Sequence, residues 1–271
     1  MAAAEPWASQ FERQSGATSF DLRAAEYARV RPGYPRAATE AAVPPGATTV
    51  LDLAAGTGKL TEGLLAQGLH VIAVEPLPGM LAELSRLFPA AQPICGTAEN
   101  IPLVDSSVDA VLVGQAFHWF DTGPALDEIA RVLRPGGSLA LLWNHDDESD
   151  PFVTEIYDAL TAAGRPPGGT TRRGNRAEAG PDATARDAAI APFTGHPAFT
   201  EPELMEVGWQ RRQSVDDLIG LLNTYSYVIR SSDRARVDLE ATVRLIARRH
   251  SSLDGGVQIP VICQVWRSVC R

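Results

Sequence analysis

A chain of 271 residues has room for one sizeable domain with an elaborate insertion, or two modest ones, at ~150 residues per domain. Its 45% hydrophobic and 21% charged residues fit a soluble protein with a real core rather than a disordered one. A net charge of −9, with Lys59 the only lysine, argues against a nucleic-acid backbone or an anionic membrane as the main partner.

The N-terminus, MAAAEPWASQFERQ, lacks the apolar core and early positive charge of a signal peptide. The run YARVRPGYP (27–35) follows, where Pro32 and Pro35 disfavour helix around them. It reads either as an extended lead-in or as a cover over a site further along the chain. Four aliphatic runs then suggest strands buried on both faces: TTVLDL (48–53), HVIAVE (70–75), VDAVLVG (108–114) and SLALLWN (138–144). A weaker run, QPICG (92–96), lies between the second and third. Helical patterns alternate with them at 59–68, 78–88 and 123–133, the last ending in RPGG, a helix stop and turn. This alternation means βαβ units. The expected fold is α/β: a Rossmann-like, doubly wound, mostly parallel seven-stranded sheet with helices on both faces.

Beyond Asn144 the pattern changes. A helix near 151–163 leads into a Gly-, Pro- and Arg-rich stretch (163–181) that reads as a lid or as disorder. A strand near 203–212, helices near 214–223 and 233–249, and a strand at 257–269 complete the chain. One domain with a late helical insertion is expected: residues 18–145 form a nucleotide-binding core, and 146–271 supply the insertion and the last two strands. Cys95, Cys263 and Cys270 are odd in number and not clustered like metal ligands, so a reduced, cytoplasmic setting and no metal are expected. No apolar run reaches the ~18 residues of a membrane span.

The chemistry centres on LDLAAGTGKL (51–60), where an apolar run ends in two glycines. An ATP-binding loop needs a glycine where Leu53 stands and a hydroxyl where Leu60 stands. A dinucleotide fingerprint finds Gly56 and Gly58 but meets Thr61 at its third glycine, while Glu75 stands where an acid would take ribose hydroxyls. Further along, GTAENIPL (96–103) follows the third strand, QAFHWFD (115–121) the fourth, and LRPGGSLALL (133–142) opens the fifth. With the glycine turn and YARVRPGYP, these motifs resemble class I S-adenosylmethionine-dependent methyltransferases. The likeness is to the small-molecule branch called type 11, including relatives of trans-aconitate methyltransferase, and it covers roughly residues 18–145.

The resemblance implies S-adenosyl-L-methionine as cofactor. Its amino-acid tail would lie against Ala54, Gly56 and Gly58, with Asp52 favouring the ammonium. Glu75 would accept the ribose hydroxyls. Met80 would lie along the adenosine, although core packing explains it as well. Ala98 and Glu99 would meet the adenine edge, and Gln115 the methionine moiety. Tyr27 would supply a hydroxyl and Arg31 a fork for the cofactor carboxylate. Ala54 departs from the glycine of many relatives and is tolerable there if its φ is negative.

His118 is the candidate for moving a proton at the acceptor, or else it pins its loop by a backbone hydrogen bond. His145 and Asp146 either border the acceptor or cap the fifth strand. Arg165, Arg172, Arg173 and Arg176 either attract a carboxylate-bearing acceptor or are simply solvated. Tyr225 and Tyr227 either line the acceptor pocket or pack a helix end. The expected function is methyl transfer to a small molecule, with oligomeric state undetermined. An NAD(P)-dependent oxidoreductase and a non-catalytic cofactor-binding module are the alternatives.

Overall fold

The computed structural model describes residues 24–164, 193–229, 231–251 and 256–271. Its strands are β1 (Thr49–Leu53), β2 (His70–Glu75), β3 (Gln92–Cys95), β4 (Val108–Gly114), β5 (Leu133–Asp146), β6 (Glu203–Ser214) and β7 (Gly256–Val269). The first five α-helices are α1 (Ala24–Val30), α2 (Arg36–Ala42), α3 (Lys59–Leu65), α4 (Pro78–Leu87) and α5 (Thr122–Val132). They are followed by α6 (Pro151–Ala162), α7 (Val215–Leu222), α8 (Ser226–Ile229) and α9 (Asp233–His250), and a 3₁₀ turn spans Phe117–Trp119.

All seven strands join one sheet in the order β3-β2-β1-β4-β5-β7-β6. The pairings from β3 across to β5 are parallel, while β7 runs antiparallel to both β5 and β6. This is the expected doubly wound, mostly parallel seven-stranded sheet. Its strands read as continuous apolar runs because alternate residues serve two cores. Leu51, Leu53, Val111, Val113, Leu139 and Leu141 face α5 with its Leu126 and Ile129. Val50, Leu112 and Leu142 face α2 and α3, where Ala38, Leu60 and Leu64 are buried. A third cluster joins α6, α7 and α9 over Val257, Ile259 and Val261 of β7.

Two local expectations are corrected. The N-terminal run is not extended throughout: α1 and α2 are helical on either side of a short break. Pro32 lies in that break and Pro35 caps α2 with φ −65° and ψ 143°, so the prolines punctuate two helices instead of excluding them. RPGG is not a turn outside the sheet either. β5 already pairs at Leu133 with Val108, and the register then shifts before Ser138 meets Ala110, so the glycines sit in an irregularity of the strand. Gly136 takes φ 78° there.

Candidate active site

Strand order reverses at β1, whose neighbours are β2 and β4. In open α/β sheets the crevice beyond the strand ends at such a point is where ligands bind. Asp52, two residues after Val50, shares its face and looks toward α3. There the Thr61 hydroxyl donates to Asp52 Oδ2 at 2.6 Å. Both side chains are buried, which explains why Thr61 replaces a third glycine: it is committed to Asp52. Burial pushes the Asp52 carboxyl up to about 7, against the lowering effect of Thr61 and with a further rise from nearby Glu75.

Glu75 closes β2. Its Oε2 accepts from the Gly56 amide at 2.9 Å and its Oε1 from the Leu77 amide at 3.0 Å. The strand end, the glycine turn and the entry to α4 are thus held by one carboxylate, with both oxygens oriented. Met80 is buried in the first turn of that helix.

In the turn, Ala54, Gly56 and Gly58 take φ values of 56°, 56° and 89°. Ala54 does not meet the condition of a negative φ: it is left-handed, a conformation its Cβ disfavours by ~1–2 kcal/mol. The turn geometry overrides the residue. A Cβ added at Gly56 would meet nothing within 4 Å, so the space above the turn is open. At Gly58 it would lie 2.6 Å from Phe88 and 3.2 Å from Leu84, which makes glycine obligatory.

The N-terminal segment packs beside this crevice. Helix α1 packs against α4 and α7, and its Arg29 pairs with Asp217. The Arg31 guanidinium lies 4.9 Å from the Tyr27 ring centroid and 5.5 Å from that of Tyr225. Asn144 donates to the Gly33 carbonyl at 3.0 Å and accepts at its own carbonyl from the Gln115 amide, also at 3.0 Å. Gln115 is held at φ 59°, a strained conformation of the kind that clusters at functional sites. Tyr34 was not singled out from sequence, yet its ring fills the place a Cβ on Gly114 would take at the end of β4. The signal was the glycine ending an otherwise aliphatic strand.

Ala98 is buried with Ile101 and Phe117 after β3, and Glu99 accepts the Asp121 amide at 2.9 Å. His118 lies in the 3₁₀ turn, its ring 4.7 Å from Trp119 and 5.4 Å from Trp143. No hydrogen bond reaches it among the described residues, so it does not pin its loop. Desolvation by its neighbours lowers its pKa to about 4, a shift tempered by the residue's exposure to solvent. The ring is neutral at pH 7, able to accept a hydrogen bond but a weaker base than a free histidine.

Most of the sequence-predicted residues therefore gather beyond the ends of β1, β2, β3 and β4. Arg165, Arg172, Arg173 and Arg176, and the side chain of Tyr227, lie outside the described residues. Among the described residues no three of His, Cys, Asp and Glu are grouped to hold a metal ion.

Comparison with known proteins places the chain in a family. A methyltransferase-domain family model matches residues 51–141. An uncharacterized methyltransferase of Mycobacterium tuberculosis H37Rv is 38% identical over 252 residues, covering 92% of this chain and 95% of the relative. Another from Schizosaccharomyces pombe is 33% identical, with 86% and 90% covered. The solved structure of an Anaeromyxobacter dehalogenans protein assigned as a type II methyltransferase superposes with a TM-score of 0.62 at 25% identity, over 89% of this chain and 97% of that one. The chain belongs to the class I methyltransferase family, whose methyl donor is S-adenosylmethionine.

The site suits that cofactor. Arg31 Nε, Thr57 Oγ1 and Asn144 Oδ1 come from three chain segments bordering the crevice, and each is buried without a hydrogen-bond partner. Buried polar atoms are nearly always satisfied. An amino-acid tail lying over the open Gly56, with its carboxylate toward Arg31, would supply an acceptor for the unpaired guanidinium nitrogen.

Proposed function

We propose that this protein transfers the methyl group of S-adenosylmethionine to a small molecule. In this reading Asp52 attracts the cofactor ammonium, Glu75 takes the ribose hydroxyls, and Ala54, Gly56 and Gly58 admit the tail. Tyr27 and Arg31 cover the carboxylate, while Met80, Ala98 and Glu99 border the adenine and Gln115 the methionine chain. Residues 18–145 act as the cofactor-binding core and 146–271 complete the acceptor side. The acidic net charge supports a small acceptor over a nucleic acid. The thiols of Cys95, Cys263 and Cys270, all unpaired, support a reducing, cytoplasmic setting.

When bound, the cofactor would supply an electrophilic methyl on sulfonium, open to an acceptor lone pair, with the carbon–sulfur electron pair returning to sulfur. The chain aligns the reactants and excludes water. With a hydroxyl acceptor, the neutral His118 accepts its hydrogen bond, orients it, takes the proton released as the oxygen is methylated and passes it to solvent. Because the ring is already neutral, the kcat profile is expected to show no inflection near pH 6.5.

The observation carrying this reading is the Glu75 carboxylate fixed by the Gly56 and Leu77 amides beside an open glycine turn. The test is calorimetric titration with S-adenosylmethionine and S-adenosylhomocysteine, with NAD and NADP as controls. Binding of the first pair, weakened at least a hundredfold in Glu75→Ala, is the expected result. Preference for NAD, or no binding, sinks the proposal.

A further inference from the structure

The sheet ends on β6, whose 12 residues make it long for an edge strand. Its pairing with β7 runs from Glu203 to Ser214 without a register shift, so no bulge interrupts it. It contains neither proline nor lysine, residues with which proteins commonly blunt an open edge. Among the described residues β7 is its only strand partner, which leaves the opposite row of N–H and C=O groups without a ladder.

The two faces of β6 differ. Val207, Trp209 and Arg211 turn toward the core, and Arg211 reaches Asp146 Oδ1 with Nη2 at 3.3 Å. Leu204, Glu206, Gly208, Gln210 and Arg212 share the other face, and all are exposed. Leu204 is 44% exposed and neighbouring Met205 51%, so apolar surface accompanies the open edge. Gly208 sits mid-strand, although a Cβ there would meet nothing within 4 Å. Packing within the chain does not call for that glycine, and a strand glycine often marks the close approach of another backbone.

Charge along the exposed face is segregated, with Glu206 before the glycine and Arg212 after it. Gln264 donates to Glu206 Oε1 at 2.8 Å and orients the carboxylate, which has acceptor sites beyond that bond. A two-fold axis normal to the sheet sets β6 antiparallel to a second β6 and keeps matching faces on the same side. One residue then meets its own copy at the axis. With Val207 there, Glu203 opposes Arg211, which is already committed to Asp146. With Gly208 there, Glu206 opposes only Gln210. With Trp209 there, Glu206 stands opposite Arg212 of the second copy, and symmetry makes the pair occur twice. That register also sets Gly208 against Gln210 and Leu204 against Ser214, so nearly the whole strand is paired and no like charges oppose.

We infer that β6 is a self-association edge: two copies of this chain pair β6 to β6, antiparallel about Trp209, and join their sheets into one. The occupant is a second copy because the strand's charges complement their own reversed order. The inference stands apart from the methyl-transfer reading. Sedimentation of the full chain across micromolar concentrations should show a dimer. Glu206→Arg and Arg212→Glu each set like charges opposite one another and should weaken association by about tenfold or more. An equimolar mixture of the two variants, or the double variant carrying both changes, restores opposite charges and should recover the dimer.

Hydrogen exchange on the unaltered chain gives a second measurement that needs no variant to fold. Amides of β6 should gain protection as concentration rises, while those of β3, the opposite edge of the sheet, should not. A monomer at every concentration, single variants that associate as well as the unaltered chain, or a mixture that fails to recover overturns the inference. So does a dimer whose β6 exchange is unchanged, since it forms through another face. Amides of β6 protected equally at all concentrations would show the edge covered within one chain, which overturns it as well.

Discussion

Asp52 carries an ionisable group where the unliganded fold resists ionisation. Its pKa, raised from 3.8 to about 7, means the folded chain binds more protons at this site than the unfolded chain between pH 4 and 7. This site's contribution to stability therefore falls as pH rises through that window. Asn cannot ionise and can still accept from Thr61. Asp52→Asn is expected to raise the unliganded melting temperature at pH 7, with the gain shrinking toward pH 4, and to weaken S-adenosylmethionine binding. Equal melting curves at pH 7 would show that Asp52 is not strained. Ala54 holds a second reservoir. Ala54→Gly relieves its left-handed backbone and should stabilise the fold by about 1 kcal/mol in urea titration. Asp52, Glu75 and the glycines were legible from sequence because motif order fixes them. The φ of Ala54 was not, since a turn's shape overrides its residue. Arg211 was invisible too: it meets Asp146 only across 65 residues of chain.

The elements that sequence displays best are those whose burial has a simple period. HVIAVE and VDAVLVG became β2 and β4 with no change of boundary, because central parallel strands are apolar throughout. Helix α1 was hidden because seven residues show little periodicity and the prolines behind it dominate the local pattern. Only its tertiary contacts, Arg29 with Asp217 and Val30 against Gly220, account for its place. Gly58 makes the same point for α3. It is the N-cap in a left-handed conformation and also the point where α4 comes closest through Phe88. Gly58→Ala should combine backbone strain with overpacking and cost about 2–4 kcal/mol. The loss would be read as a lower urea midpoint with an unchanged slope. A cost under 1 kcal/mol would mean that Phe88 swings away freely.

Across the whole molecule the two ends of the sheet do different work. The carboxyl ends carry the open turn, the unpaired Thr57 Oγ1 and Asn144 Oδ1, and the strained Ala54 and Gln115. The amino ends are tied: Asp109 Oδ2 accepts the Thr48 and Thr49 amides at 2.8 and 2.9 Å, and Arg134 pairs with its other oxygen. Burial works to raise the Asp109 pKa, but the Thr49 and Thr48 amides and Arg134 outweigh it and hold the carboxyl at about 2. A depressed carboxyl contributes stability above its unfolded pKa of 3.8 and loses it as pH falls toward 2. Asp109→Asn should therefore cost about 2 kcal/mol at pH 7, the difference closing toward pH 2. In the proposed function, cofactor binding acts at the opposite end. A ligand at 100 times its Kd adds ~2.7 kcal/mol to the folded state, worth about 5 °C in a chain of this size. S-adenosylhomocysteine should thus raise the melting temperature equally in Asp109→Asn and in the unaltered chain, from a lower start, and leave Glu75→Ala unmoved. If Asp109→Asn loses the shift as well, the two ends are coupled through the sheet, and the division between a stabilising end and a ligand-binding end fails.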